Sequence, residues 1–154
     1  MHITLLTRDS YIETIKNSIN SSVFKTLWAL VDGEKQDVLD AGRKSCGVFT
    51  SSILLMFGLI KERHATVSGT IKDMEVSGWF EISEPKIGSV LRWEKKFGNG
   101  ENNDHIGFYI GDNMAISTNS KERTPIEHHF TYGEEDGKAK RKIVTIYWHK
   151  KLDE

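Results

Sequence analysis

The most informative segment for the fold of this chain is His105-Ile106-Gly107-Phe108-Tyr109-Ile110-Gly111-Asp112-Asn113. Residues 106–110 are β-prone, and so is the run Met114–Thr118 that follows. Gly111-Asp112-Asn113, between the two runs, is typical of a β-hairpin turn. The sequence therefore predicts two antiparallel strands, with His105 at the start of the first.

Other β-prone runs surround this hairpin and are separated from it by Gly, Asn and Asp. They cover residues 90–93, 126–132 and 143–148. Residues 98–104, rich in Gly and Asn, are predicted to form a loop that leads directly into His105. Strand periodicity begins near Thr66, so we expect an antiparallel meander after that residue.

Upstream of Thr66 the pattern is helical. Ser10 and Glu13 have the spacing of a capping box. Apolar residues then recur at steps of three and four, at Ile12, Ile15, Ile19, Val23, Leu27 and Leu30. This spacing predicts one amphipathic helix that ends at Asp32-Gly33.

A second, buried helix is predicted around the single cysteine. Cys46, Phe49, Ile53, Met56 and Ile60 share one helical face, which places Cys46 in the first turn. Helices followed by strands indicate the α+β class, with N-terminal helices packed on an antiparallel β-sheet. A length of 154 residues suits one domain. We divide it into an N-terminal helical part, residues 1–44, and a core, residues 45–149.

Composition excludes several classes of protein. A formal net charge of −1 argues against a nucleic-acid binder. The most apolar run, residues 48–60, is too short to cross a bilayer, and the N-terminus lacks a secretory signal, so we expect a cytoplasmic protein without a membrane partner. One cysteine allows no intrachain disulfide and no usual zinc spacing, so neither a metal nor another cofactor is predicted. The charged run 138–142 is interpreted as a solvated turn.

The chemistry is expected to rest on Cys46 and His105. A cysteine nucleophile needs a lowered pKa, partial access and a base within reach. The first turn of a helix favours the thiolate, and its N–H groups can also face an oxyanion. His105 is the candidate base, because it opens a strand expected to face this helix. A lone cysteine is more often a small buried apolar side chain, so its surroundings must decide.

The segment from His105 to Asn113 resembles the histidine motif of the NlpC-like cysteine peptidases, a papain-fold family related to the CHAP amidases. In that family the histidine begins a strand that reads His-hydrophobic-Gly-hydrophobic-Tyr-hydrophobic-Gly. The other landmarks follow the family order: Cys46 at the head of a helix, Gly78-Trp79, and residues 85–93. The resemblance covers about residues 44–120, although Ser45-Cys46-Gly47 stands where the family usually has Asp-Cys-Ser.

This resemblance implies a papain-like thiol hydrolase that cleaves a peptide or amide bond, with Cys46 as nucleophile and His105 as base. It also implies peptidoglycan stem peptides as the default substrate, with release to the cell wall as an option. An inactive relative that binds peptides or a partner in the cleft is a second interpretation. Acyl or amide transfer on the same thiol is a third.

The residue that orients His105 is left open among several candidates. Counting along the family motif leads to Ser117, and Asn119 follows on the same face of the predicted strand. His128 and His129 are further candidates, since consecutive strand residues face opposite sides and one must point inward. Contact with the substrate is assigned to Trp79 (as a core or cleft-wall residue), Asp104, His128 and His129.

Overall fold

The computed structural model describes residues 1–98 and 101–154 of the chain. The elements in chain order are α1 (Thr7–Asn17), β1 (Trp28–Val31), β2 (Glu34–Asp37), α2 (Cys46–Met56), α3 (Val67–Val76), β3 (Trp79–Glu81), β4 (Val90–Gly98), β5 (Glu101–Gly111), β6 (Met114–Thr118), β7 (Pro125–His129), β8 (Glu134–Glu135), β9 (Lys138–Ala139) and β10 (Ile143–His149), followed by a 3-10 turn (Lys150–Leu152). The predicted α+β class is confirmed. Over these residues, no helix combines the length and apolar character needed to cross a membrane.

The main sheet has the strand order β3-β10-β4-β5-β6-β7, and each neighbouring pair is antiparallel. The hairpin predicted around residue 112 joins β5 to β6. Asp112 and Asn113 have φ values of 52° and 60°, as a tight turn with left-handed central residues requires. β5 therefore lies inside the sheet, with β4 on one side and β6 on the other.

The loop predicted for the segment before His105 is wrong from Glu101 onward, where the structure has a strand. β5 begins at Glu101, and Gly98 at the end of β4 pairs with Glu101. Asn99 and Gly100, also predicted as loop, lie outside the described residues. The register shifts between Trp93 and Lys96, where β4 carries an irregularity. His105 is consequently held inside a strand pair rather than at a strand start.

Apolar side chains pack on both faces of the central strands. One cluster lies between helices and sheet and includes Phe49 and Ile53 of α2, with Ile106 and Phe108 of β5. A second, smaller cluster is centred on Leu91, Trp93 and Ala115. Cys46 packs against the first cluster, and the ring of His105 lies 5.1 Å from that of Trp93 in the second. Each of the two predicted catalytic side chains thus adjoins one of the two clusters.

The N-terminal part is less helical than predicted. α1 ends at Asn17 and has Leu6 at its N-cap, so Ser10 lies within the helix and caps nothing. Asn20 has a φ of 65°, which is incompatible with continuing a right-handed helix. Asp32 and Gly33, expected to stop a helix, instead turn the hairpin between β1 and β2 with φ values of 52° and 85°. The helical interpretation of residues 1–44 is wrong beyond α1.

The cysteine helix was predicted correctly, whereas the helix after it was missed. α2 begins at Cys46 and buries Phe49 and Ile53, but Met56 is exposed and Ile60 lies beyond the helix end. α3 occupies a region interpreted as the start of the strands. Its N-cap is Thr66, whose side chain accepts the Gly69 N–H at 3.0 Å. α3 packs against α2 and β5, and so holds the N-terminus of α2 in place.

Candidate active site

Cys46 occupies the first position of α2. The N-cap residue, Ser45, is buried and its hydroxyl donates to the Gly42 carbonyl at 2.9 Å, so it does not cap the first-turn N–H groups. The next position, Gly47, requires a glycine because the backbone of Thr66 lies against it. A Cβ at this position would be 2.6 Å from the Thr66 carbonyl carbon. A larger residue at position 47 would therefore require the Thr66 backbone to move.

Burial has the largest effect on the pKa of the Cys46 thiol. Removal from water raises its pKa to about 11, although the backbone N–H groups of Gly47 and Ile106 face the sulfur and lower the pKa. The positive charge of Arg141 acts in the same direction as those N–H groups. The expected lowering by the helix N-terminus is therefore present but outweighed. Cys46 stands as a neutral thiol, partly accessible from the cleft described below.

His105 is buried on β5, and its Nε2 lies 3.0 Å from the Ser117 hydroxyl of β6. Burial lowers the pKa of His105 well below its ordinary value, and the positive charge of Arg141 lowers it further. The imidazole is therefore neutral in the resting protein. A neutral imidazole beside a neutral thiol can act as a general base during attack, whereas a preformed ion pair is not favoured here.

Ser117, the residue to which the motif count led, contacts His105. Its hydroxyl contacts three side chains: Nε2 of His105, Nε2 of His128 at 2.7 Å, and the Tyr132 hydroxyl at 3.1 Å. Gly107 makes this approach of β5 and β6 possible, since a Cβ there would lie 2.7 Å from the Ser117 Cβ. The glycine of the sequence motif therefore has a steric role next to the base.

A cleft of about 720 Å³ opens over these residues. Its walls come from the segment before α2, the N-cap region of α3, and the ends of β5 and β6. The lining residues include Lys44, Cys46, Thr66, Lys96, Asp104, His105, Thr118, Asn119, Tyr132 and Arg141. Cys46 and His105 thus face the same space, large enough for part of a peptide.

The cleft carries more positive than negative charge among the described residues. Its two carboxylates, Asp40 and Asp104, are each ion-paired with an arginine. Its cations are Arg43, Lys44, Lys96 and Arg141. Asp104 binds Arg92 through Nη2 at 3.1 Å, so its carboxylate points at Arg92 instead of contacting His105. The field in the cleft favours a ligand with negative charge.

Three predicted site residues lie elsewhere than expected. Asn119 lines the cleft, but its amide oxygen accepts the N–H groups of Lys121 and Glu122 and does not contact His105. Trp79 is buried in the core, where its indole donates to the Leu59 carbonyl at 2.8 Å, which corrects the expectation that it contacts substrate. His129 faces away from Ser117, and its Nδ1 accepts N–H groups of the following turn.

Sequence reasoning missed Arg141 and Tyr132. Arg141 sits in the run interpreted as a solvated turn, yet it is half-buried, lines the cleft and donates from Nε to the Glu94 carbonyl at 3.1 Å. Tyr132 stacks on His128 with ring centroids 4.1 Å apart. No spacing in the sequence marks either residue, because both reach the site from the segment between β7 and β10.

Comparisons with known proteins add no family assignment. No family model matches the chain, and no curated protein matches it. Within the described residues, no group of three or more His, Cys, Asp or Glu side chains is arranged to hold a metal ion. The function of this chain is therefore inferred from the contacts of the cleft itself.

Alkylation of Cys46 is expected to be slow at neutral pH. With a pKa raised to about 11, the thiolate is scarce until the pH passes well above 9. At pH 7 we expect iodoacetamide to react roughly a hundredfold more slowly than with a free model thiol, whose pKa is about 8.5. Intact-mass spectrometry measures this unambiguously, because the chain has one cysteine. In the urea-unfolded protein the rate should equal that of the model thiol, and a fast native reaction would indicate a resting ion pair.

Proposed function

We propose that this chain is a thiol hydrolase that cleaves a peptide or amide bond in its cleft. One observation carries the proposal: Cys46 at the start of α2 and His105 on β5 line the same cleft, and Ser117 holds Nε2 of His105 at 3.0 Å. These are the nucleophile, the base and the orienting group that acyl transfer through a thiol requires. The resemblance to the NlpC-like peptidases agrees with this assignment.

The first half of the reaction transfers the acyl group to the enzyme. The Cys46 sulfur attacks the carbonyl carbon while Nδ1 of His105 takes the thiol proton. The negative charge on the carbonyl oxygen is stabilised by the backbone N–H of Cys46 at the start of α2. His105 then returns the proton to the leaving nitrogen as the C–N bond breaks, which leaves a thioester and a free amine.

The second half releases the acid. Water attacks the thioester carbon while Nδ1 of His105 accepts one of its protons. The C–S bond breaks, and the proton passes from His105 to the sulfur. The products are a carboxylic acid and the original thiol, so no cofactor is consumed.

The charge of the cleft supports an anionic peptide as substrate. Arg141 and Lys96 bring positive charge to the same space as the thiol. Peptidoglycan stem peptides, which carry carboxylates, are the substrate class that the resemblance implies. They are the first class to test.

The hydrolase proposal is tested by digesting stem peptides, and a mixture of acidic and basic peptides, in heavy-oxygen water. Hydrolysis places one heavy oxygen in each new carboxylate, which mass spectrometry detects. We expect cleavage of acidic peptides in preference to basic ones. Transfer to an added amine such as glycylglycine, without labelled acid, would identify a transferase instead. Absence of any product with every class of peptide, at all pH values tested, would contradict the proposal.

The raised pKa of Cys46 favours one other function, a binding cleft without turnover. A thiol that is neutral at physiological pH reacts slowly unless a base assists it. In that case peptides would bind in the cleft and be recovered intact. Equilibrium dialysis with the same peptides therefore separates the two functions.

A further inference from the structure

A chain of hydrogen bonds runs from a backbone carbonyl to His105. It begins at the carbonyl oxygen of His129, 2.8 Å from Nδ1 of His128. A carbonyl oxygen only accepts, so Nδ1 of His128 must carry a proton and donate it. The direction of the first bond is therefore fixed by the backbone.

The direction of the next hydrogen bond follows from the protonation state of His128. Burial lowers the pKa of His128 and outweighs the bond to the His129 carbonyl, which raises the pKa, so the ring is neutral at pH 7. A neutral imidazole with a proton on Nδ1 has a lone pair on Nε2. Nε2 lies 2.7 Å from the Ser117 hydroxyl, and Ser117 must be the donor. The single hydroxyl hydrogen of Ser117 is therefore used in the hydrogen bond to Nε2 of His128.

The last bond sets the tautomer of His105. With its hydrogen on His128, the Ser117 oxygen has two lone pairs left, and two side chains lie within reach. They are the Tyr132 hydroxyl at 3.1 Å and Nε2 of His105 at 3.0 Å, and both must donate. In a neutral His105 the proton is then on Nε2, and Nδ1 keeps its lone pair.

We propose that His128 is a positioning residue that acts through Ser117 to hold His105 in the tautomer with a basic Nδ1. The catalytic consequence rests on the hydrolase function proposed above, whereas the hydrogen-bond direction does not. Only an unprotonated Nδ1 can accept the proton of the Cys46 thiol while Nε2 remains bonded to Ser117. Ser117 by itself would not fix the tautomer of His105, because a serine hydroxyl donates and accepts equally well.

The reversed arrangement is disfavoured by the same contacts. If Ser117 donated to His105, its oxygen and Nε2 of a neutral His128 would face each other as two lone pairs 2.7 Å apart. Ser117 is buried and His128 is partly buried, so an unmade bond there is costly. Trp93 also restrains both histidine rings, with centroid distances of 5.1 Å to His105 and 5.7 Å to His128.

The experiment is nitrogen NMR of isotope-labelled histidine in the native protein, which distinguishes protonated from unprotonated ring nitrogens. At pH 7 we expect His128 to be protonated on Nδ1 only and His105 on Nε2 only. A native protein with His105 protonated on Nδ1, or with a charged His128, would overturn the inference without any variant.

Three variants then test the dependence on His128. His128→Phe keeps a ring against Tyr132 but removes the acceptor, so Ser117 is free to donate and His105 should shift toward the Nδ1-protonated tautomer. His128→Gln offers an amide oxygen near the position of Nε2 and should restore the native tautomer. Tyr132→Phe is the matched control, since it removes only a donor to Ser117, and it should leave His105 unchanged. An unchanged His105 in folded His128→Phe would contradict the role of His128.

Kinetics link the tautomer to turnover. We expect His128→Phe to lower kcat roughly 10²- to 10⁴-fold with little change in KM, because a wrong tautomer removes the base but not the binding cleft. His128→Gln should recover most of this loss. Native tautomers without any hydrolysis would refute the hydrolase function and leave the hydrogen-bond chain standing. Hydrolysis that persists in His128→Phe would refute the positioning role alone.

Discussion

Replacing Cys46 by alanine is expected to lower the rate of amide hydrolysis roughly 10⁴-fold or more, because no other group can form the thioester. His105→Ala should cost nearly as much, since the neutral thiol, with a pKa raised to about 11, depends on a base to lose its proton. The two residues act as one unit, so the double variant should be no slower than either single variant. Steady-state and single-turnover assays on peptide cleavage measure these effects.

Asn119→Ala is the informative control for this prediction. Asn119 lines the same cleft, but its side chain holds the turn after β6 and does not contact His105. We expect its kcat to stay within a few-fold of the native value. A loss comparable to that of His105→Ala would mean that Asn119, and not Ser117, orients the base.

Asp73→Ala is expected to give the largest loss of stability near the site. The carboxylate accepts four hydrogen bonds, from the N–H groups of Lys61 and Glu62, from Nε2 of His64 at 2.7 Å and from the Ser77 hydroxyl at 2.8 Å. These donors join the turn after α2 to α3, which supports the start of α2. We expect about 2–3 kcal/mol of destabilisation, since water can replace only part of this set. Urea unfolding measures it, with the exposed Glu75→Gln on the same helix as control.

The contribution of Asp73 should also depend on pH. Burial alone would raise its pKa, but the donors from His64, Lys61, Ser77 and Glu62 outweigh burial and hold the pKa well below its usual range. A depressed pKa in the folded state means that the carboxylate stabilises the fold above its unfolded pKa of about 3.9. That stabilisation is lost as the pH falls toward the folded pKa. The difference between native protein and Asp73→Asn should therefore shrink below pH 4, and a constant difference would contradict this account.

Local patterns sufficed for the hairpin that carries His105 and for the helix start at Cys46. The turn at Asp112-Asn113 and the alternation of β5 are properties of adjacent residues, which is why the sequence predicted them. α3 was missed because its start depends on the Thr66 cap and on Gly47 admitting the Thr66 backbone, and neither creates a long apolar repeat. The sequence predicts a helix over residues 28–31, where the structure has β1, because Leu27 and Leu30 continue the helical spacing of α1 by coincidence.

The sequence predicted only some of the residues that contact or position His105. Counting along the motif reached Ser117, but the roles of His128 and Tyr132 depend on strand register. Ser117 pairs with Ile126, so His128 lies diagonally across the same strand pair and reaches the serine hydroxyl. The ionisation of Cys46 could not be predicted either. The helix start lowers the pKa locally, whereas the larger, opposite effect comes from burial by residues distant in sequence.

Acylation by an activated ester shows whether Cys46 attacks a carbonyl carbon with His105 as its base. The native protein and its His105→Ala variant are mixed with p-nitrophenyl acetate, and nitrophenolate release is followed together with intact mass. We predict a burst of nitrophenolate, one acetyl group bound as a hydroxylamine-sensitive thioester on Cys46, and loss of the burst in His105→Ala. Equal burst rates in both proteins, or an acetyl group on any residue other than Cys46, would contradict the account.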